Sequence, residues 1–209
     1  MADTTMTITI HVYNDAEVSP RILVEAKRIA AKAFRDAGVE TRWLDEDPSR
    51  DQGYKARPFR SLDMAVRIAA HFMAQSLDQP DDALGVAPGS GPNRHLTYVF
   101  YGRAEQLARQ SKAEQMRQAL VGRFFYPSPN IEQLLGHAMA HELGHLLGLD
   151  GHSATGIMRA DWNLADLRST MYGDLAFTQP QGEIIRAEVR RRIAAGGMPR
   201  QSGLNTYFE

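Results

Sequence analysis

Residues 141–152 read His-Glu-Leu-Gly-His-Leu-Leu-Gly-Leu-Asp-Gly-His, and this stretch constrains the fold more than any other. Positions i and i+4 share a helix face, so His141 and His145 converge on one point if the backbone between them is helical. Glu142 then points to a position beside that point. The helix must stop at Gly148, because glycine adopts the left-handed conformation past a helix end at little cost and lets the chain swing back. His152 arrives on that return. Three imidazoles and a neighbouring carboxylate suit Zn2+: three protein ligands leave its fourth position open, the water there has its pKa lowered to about 7, and the carboxylate takes the proton. Two histidines on an amphipathic helix can instead be packing residues. Gly148, His152 and the segment Ser153-Ala154-Thr155-Gly156-Ile157-Met158 weigh against that. Met158, after a Gly-Ile step, suits a tight turn that lays an apolar floor beneath the imidazoles.

With His141, Glu142, His145, Gly148, His152 and Met158 in this order, the chain resembles the metzincin clan of zinc peptidases, and in particular its matrixin-like and archaemetzincin-like branches. The usual pattern puts the third ligand three residues after the glycine, where this chain has Gly151, so His152 comes after a one-residue insertion. Asp150 stays open as an alternative third ligand, since some relatives use aspartate there. Asp161 and Asp166 are the candidates if the third ligand is distant. The resemblance implies an α+β fold: a twisted mixed β-sheet, a long zinc-binding helix, and a small C-terminal subdomain with a methionine turn and a terminal helix. It implies a zinc metalloendopeptidase that hydrolyses peptide bonds through zinc-activated water, with Glu142 as general base and a peptide or protein as substrate. The alternatives are a latent or catalytically silent zinc-containing peptide-binding protein, and a zinc hydrolase with a non-peptide substrate. In the clan an antiparallel edge strand borders the cleft, which would give Leu84, Gly85, Val86 and Ala87 to substrate pairing by strand addition. From the residues alone, an ordinary hairpin accounts for that segment equally well. Met171-Tyr172 is a second candidate for the methionine turn.

The chain has 209 residues, enough for one sizeable core. We expect a single catalytic domain with an N-terminal subdomain over about 5–148, a C-terminal one over about 149–195, and a mobile tail over 196–209. A formal net charge of −1 gives no electrostatic case for nucleic acid or an acidic membrane surface. No apolar run is long enough for a membrane span. The absence of cysteine excludes disulfides within this sequence. The expected state is a monomer, secreted or periplasmic with its signal peptide outside this sequence, a cytoplasmic location being the alternative.

Alternation of Met6, Ile8, Ile10 and Val12 with polar residues predicts a strand over 5–13. Ser19-Pro20 supplies an N-cap and a proline at the first helical position. The helix that follows carries Ile22, Leu23, Ala26, Ile29, Ala30, Ala33, Phe34 and Ala37 on one face and ends at Gly38. A second strand over 39–44 completes a parallel crossover unit. Residues 45–60 read as an exposed loop. Residues 62–73 fit a strand or a helix face, and the resemblance tips them to a third strand. A short edge strand within 82–88 and its neighbour over 95–101 follow, then a surface helix over 103–120. The zinc helix begins at Asn130, with Gln133 closing a capping box. His137, one turn before His141, would close the open coordination position as a fourth ligand, so it is assigned to support or to the surface. His11, His71 and His95 lack ligand spacing. Residues 159–177 read as irregular, Thr178 and Gln181 form a capping-box pattern, and residues 182–195 read as a terminal helix whose arginines, 186, 190, 191 and 192, are expected to face solvent.

Overall fold

The computed structural model describes residues 6–46, 59–70, 73, 76, 77, 79, 80, 82–89, 94–122 and 127–196. The first alternating segment is strand β1 (Thr7–Tyr13), followed by helix α1 (Pro20–Asp36) and strand β2 (Glu40–Glu46). Pro20 opens α1 as expected, but the Ser19 side chain makes no capping bond; Asn14 instead fixes the entry, its side chain bonding both the N–H and the carbonyl of Val18. Gly38, at φ +82°, turns the chain out of the helix. The ambiguous segment is strand β3 (Asp63–Ala69), followed by β4 (Gly85–Val86) and β5 (Leu96–Phe100). Helices α2 (Tyr101–Leu120), α3 (Ile131–Leu146), α4 (Leu164–Tyr172) and α5 (Gln179–Gly196) complete the described elements.

The sheet order is β2-β1-β3-β5-β4, with the first four strands parallel and β4 antiparallel at the edge. Register rows such as Ile10 beside Met64 and Ile68 beside Val99 put Ile8, Ile10, Met64, Val66, Ile68 and Val99 on one face, while Ala69 and Phe100 are buried on the other. The first face packs against α1 and α3 in one core. The two helices approach closely at Gly136, where a Cβ would stand 2.6 Å from the Ala26 carbonyl oxygen. The result is a mixed α/β architecture with a five-stranded mixed sheet and five helices among the described residues. None of these helices is long and apolar enough to cross a membrane.

Three expectations need correcting. The stretch expected to be irregular after Met158 contains α4, capped by Asn163 and Asp166 in a reciprocal box. The signal was legible, since Asn three residues before Asp is a capping pattern. The terminal helix starts at Gln179, and its arginines do not all face solvent: Arg192 is 2% exposed, while Ile184 and Ile193 on the same helix are exposed. The loop expected over 45–60 gives up Asp45 and Glu46 to β2, and residues 47–58 lie outside the described residues. The tail from 197 onward and His71 also lie outside them.

Candidate metal centre

Helix α3 begins as its residues require. Asn130 accepts from the Gln133 N–H at 2.8 Å and Gln133 accepts from the Asn130 N–H at 3.0 Å, so two otherwise orphaned donors are satisfied. Its far end stops at Leu147, and Gly148 at φ +91° reverses the chain. Leu147 and Leu149 both donate to the Gly144 carbonyl across this turn. His152 is thereby brought back toward His141 and His145, and one nitrogen from each of the three lies within 4.8 Å of the others.

The hydrogen bonds fix what these nitrogens offer. His141 Nδ1 donates to the Ile157 carbonyl at 2.7 Å, and His145 Nδ1 donates to the Leu149 carbonyl at 2.5 Å. With both hydrogens on Nδ1, the neutral rings present bare Nε2 lone pairs to each other at 3.2 Å. Two lone pairs repel at that distance unless a cation lies between them. Two nitrogens each about 2.0–2.1 Å from a tetrahedral zinc stand roughly 3.3 Å apart. Burial, aided by the nearby histidines, pushes the His141 pKa down to about 4 against the opposing bond to Ile157, which keeps the ring neutral as a ligand must be. Burial also lowers the His145 pKa. The donor set therefore fits a metal of the zinc type.

Glu142 sits beside this cluster, 5% exposed, with Oε1 4.0 Å from His141 Nε2. Burial alone raises its pKa to about 8. The edge strand passes directly over it: a Cβ on Gly85 would lie 2.5 Å from Glu142 Cγ and 2.5 Å from the Tyr98 carbonyl oxygen. Leu84, Gly85, Val86 and Ala87 all line the cleft that contains Glu142 and the three histidines, a volume of about 690 Å³. Strand β4 is only two residues long. It is held by Phe100 N–H to the Leu84 carbonyl at 2.8 Å and by Thr97 Oγ1 to the Val86 carbonyl at 2.9 Å.

Met158 is fully buried and packs on α3 at Gly144, where a Cβ would stand 2.9 Å from its sulfur. Its turn is closed by Ser153 N–H to the Met158 carbonyl and anchored by Ile157 N–H to the Ala176 carbonyl. Met171 and Tyr172 lie instead at the end of α4, with Tyr172 exposed. His137 stays out of the histidine cluster and is not at the surface either: it is buried, bonds the Gln133 carbonyl through Nδ1, and meets the Trp162 ring edge-on. Asp150 pairs with Arg94, and Asp166 caps α4 and faces Arg159 at 3.6 Å. Asp161 lines the cleft without joining the cluster.

Sequence reasoning missed two cleft residues. Trp162 donates from Nε1 to the Ile157 carbonyl, the same oxygen that orients His141, and its ring packs against His141. Arg94 reaches the end of α3 from 51 residues away in sequence. Neither belongs to a spacing pattern, so only the tertiary fold reveals them.

The chain thus presents a mixed α/β fold with a histidine centre able to hold a metal ion, reached through an open cleft. No family model matches it, and no curated protein does. Among solved structures, archaemetzincin from Methanopyrus kandleri is similar over 91% of this chain and 100% of that one, at 14% identity and a TM-score of 0.46. An AB5 holotoxin, ECX, in its GM1-bound form is similar over 88% of this chain and 80% of that one, at 15% identity and a TM-score of 0.44. Likeness this distant carries no chemistry across, so the functional reading rests on the residues themselves.

Proposed function

We propose that this chain is a zinc-dependent endopeptidase, with His141, His145 and His152 as metal ligands and Glu142 as general base. The observation that carries the reading is the pair of bare Nε2 atoms 3.2 Å apart, with His152 and a buried carboxylate alongside. A zinc ion held there would polarise a scissile carbonyl and acidify a water at its open position. The residues supply the rest. The carbonyls of Ile157 and Leu149 hold two rings in the ligating tautomer. Glu142, buried beside the three ligands, would take a proton from that water and then pass it to the leaving amine. Backbone groups of 84–87 border the cleft as a sheet edge, which suits an extended peptide laid alongside by strand addition. Gly148 and Met158 support the site through the turn and the packing described above.

In domain terms the proposal treats the chain as one catalytic unit, with the zinc helix closing the first subdomain and residues 149–195 forming the second. A secreted or periplasmic monomer remains part of the same proposal.

The test is zinc content by elemental analysis beside cleavage of a mixed peptide library by wild type, Glu142→Ala and chelator-treated protein. One zinc per chain with cleavage that depends on zinc and on Glu142 supports the reading. One zinc without peptide cleavage moves the assignment to a non-peptide hydrolase or a silent peptide binder, and no zinc overturns it.

A further inference from the structure

His141 and His145 sit on a buried helix and are oriented by carbonyl bonds, whereas His152 has neither advantage. It is exposed on a turn with Asp150 and Gly151, and a Cβ on Gly151 would meet nothing within 4 Å. Among the described residues, no carbonyl accepts from either of its ring nitrogens. Its ring therefore depends on how the backbone on either side is held: Ser153 N–H fixes the far side on the Met158 carbonyl, and the near side, with Asp150, needs a tie of its own.

We propose that Arg94 is a positioning residue for the metal centre, its guanidinium clamping the turn of the third ligand to the last turn of α3. Its side chain is 13% exposed, and Nη2 donates both to the His145 carbonyl at 2.7 Å and to Asp150 Oδ1 at 2.5 Å. Nη1 donates to the Gly89 carbonyl at 3.2 Å, just beyond the edge strand. The backbone of Arg94 is tied to the same helix end. Arg192, buried on α5 and paired with Glu188 at 2.7 Å, donates from Nη2 to the Arg94 carbonyl at 3.3 Å and to the Leu146 carbonyl at 2.5 Å. Two guanidinium groups thus satisfy successive carbonyls at the C-terminus of α3, where its dipole favours positive charge.

An exposed ion pair contributes little, and Asp150 is 79% exposed, so Arg94–Asp150 would be negligible alone. What raises its weight is the fork: one planar group binds the ligand-bearing helix, the turn and the edge loop together.

This inference rests on the zinc reading, and the experiment separates the two. Zinc affinity is measured by chelator competition for wild type, Arg94→Ala, Arg94→Lys and Asp150→Ala, together with visible spectra of the cobalt-substituted proteins and melting of the metal-free ones. Arg94→Ala should lose about 10- to 100-fold in zinc affinity and change the cobalt spectrum. Asp150→Ala, which leaves the carbonyl bonds of Arg94 intact, should lose less, with metal-free melting unchanged. Arg94→Lys, keeping the charge without the fork, should recover only part of the loss. Wild-type affinity and an unaltered cobalt spectrum in Arg94→Ala, or in Asp150→Ala should the first variant fail to fold, would overturn the clamp while leaving the peptidase reading intact. Wild type that binds no zinc overturns both.

Discussion

The floor and the lip of the cleft are built in opposite ways. The floor is the C-terminal half of α3 with its returning turn: buried, locked by side chain-to-carbonyl bonds, and underlain by Met158. The lip is a two-residue strand whose lead-in depends on Arg103, which donates to the Ala83 and Gln79 carbonyls at 2.9 and 3.1 Å. The floor can keep its shape whatever occupies the cleft, whereas the lip has few bonds to lose and can adjust. Metal retention and substrate alignment are therefore expected to be separable properties, coupled where Gly85 rests on Glu142 and where Arg94 reaches Gly89.

Breaking the floor should have the largest effect. His145→Ala is expected to abolish both zinc binding and cleavage, read as metal stoichiometry and peptide turnover in the same preparation. Glu142→Ala removes the base while sparing the ligands, so zinc content should stay at one per chain while kcat falls about 10²- to 10⁴-fold. The lip is probed by Gly85→Ala. The added carbon would collide with Glu142 and with the immovable Tyr98 carbonyl, so turnover should fall on the order of 10²-fold from misalignment, with zinc affinity unchanged. Equal loss of zinc and activity would show that floor and lip are one cooperative unit.

A smaller effect sharpens the electrostatics of the floor. In metal-free protein, Glu142 keeps a proton in the folded chain up to about pH 8 but releases it near 4.5 when unfolded, so its contribution to stability is present below 4.5 and lost as pH rises toward 8. His141 acts in the opposite sense, losing its contribution as pH falls from 6.5 toward 4. Between 4.5 and 6.5 the two oppose each other. Above 6.5 the Glu142 effect remains, so metal-free protein should melt lower at pH 8 than at pH 6.5, and Glu142→Gln should flatten that slope. The smallest effect belongs to the start of the helix: Asn130→Ala should cost about 1 kcal/mol of unfolding free energy by loss of one half of the capping box, leaving zinc affinity untouched.

Much of this was legible in the sequence where a local rule has a single outcome. The period-2 pattern of β1, the proline opening α1, the Asn130–Gln133 box and the turn at Gly148 all depend on neighbours within a few residues. The strand β3 was not decided by its own residues, because Met64, Val66 and Ile68 also suit a helix face; pairing with β1 and β5 settles it. The buried Arg192 was invisible for a different reason. A run of arginines reads as a solvated face, and only the arrival of unsatisfied carbonyls from α3 and from Arg94 makes burial of one of them favourable. Trp162 and Arg94 were missed on the same grounds, since their partners are distant in the chain.

The strand order also governs how copies of this chain meet one another. Exposed strand edges are where molecules join edge to edge into aggregates. Here one edge, β2, carries Glu40, Arg42, Asp45 and Glu46 within seven residues, and the other, β4, offers only two residues. A charged edge and a truncated one are poor templates for ordered growth, so neither end of the sheet is suited to recruiting another.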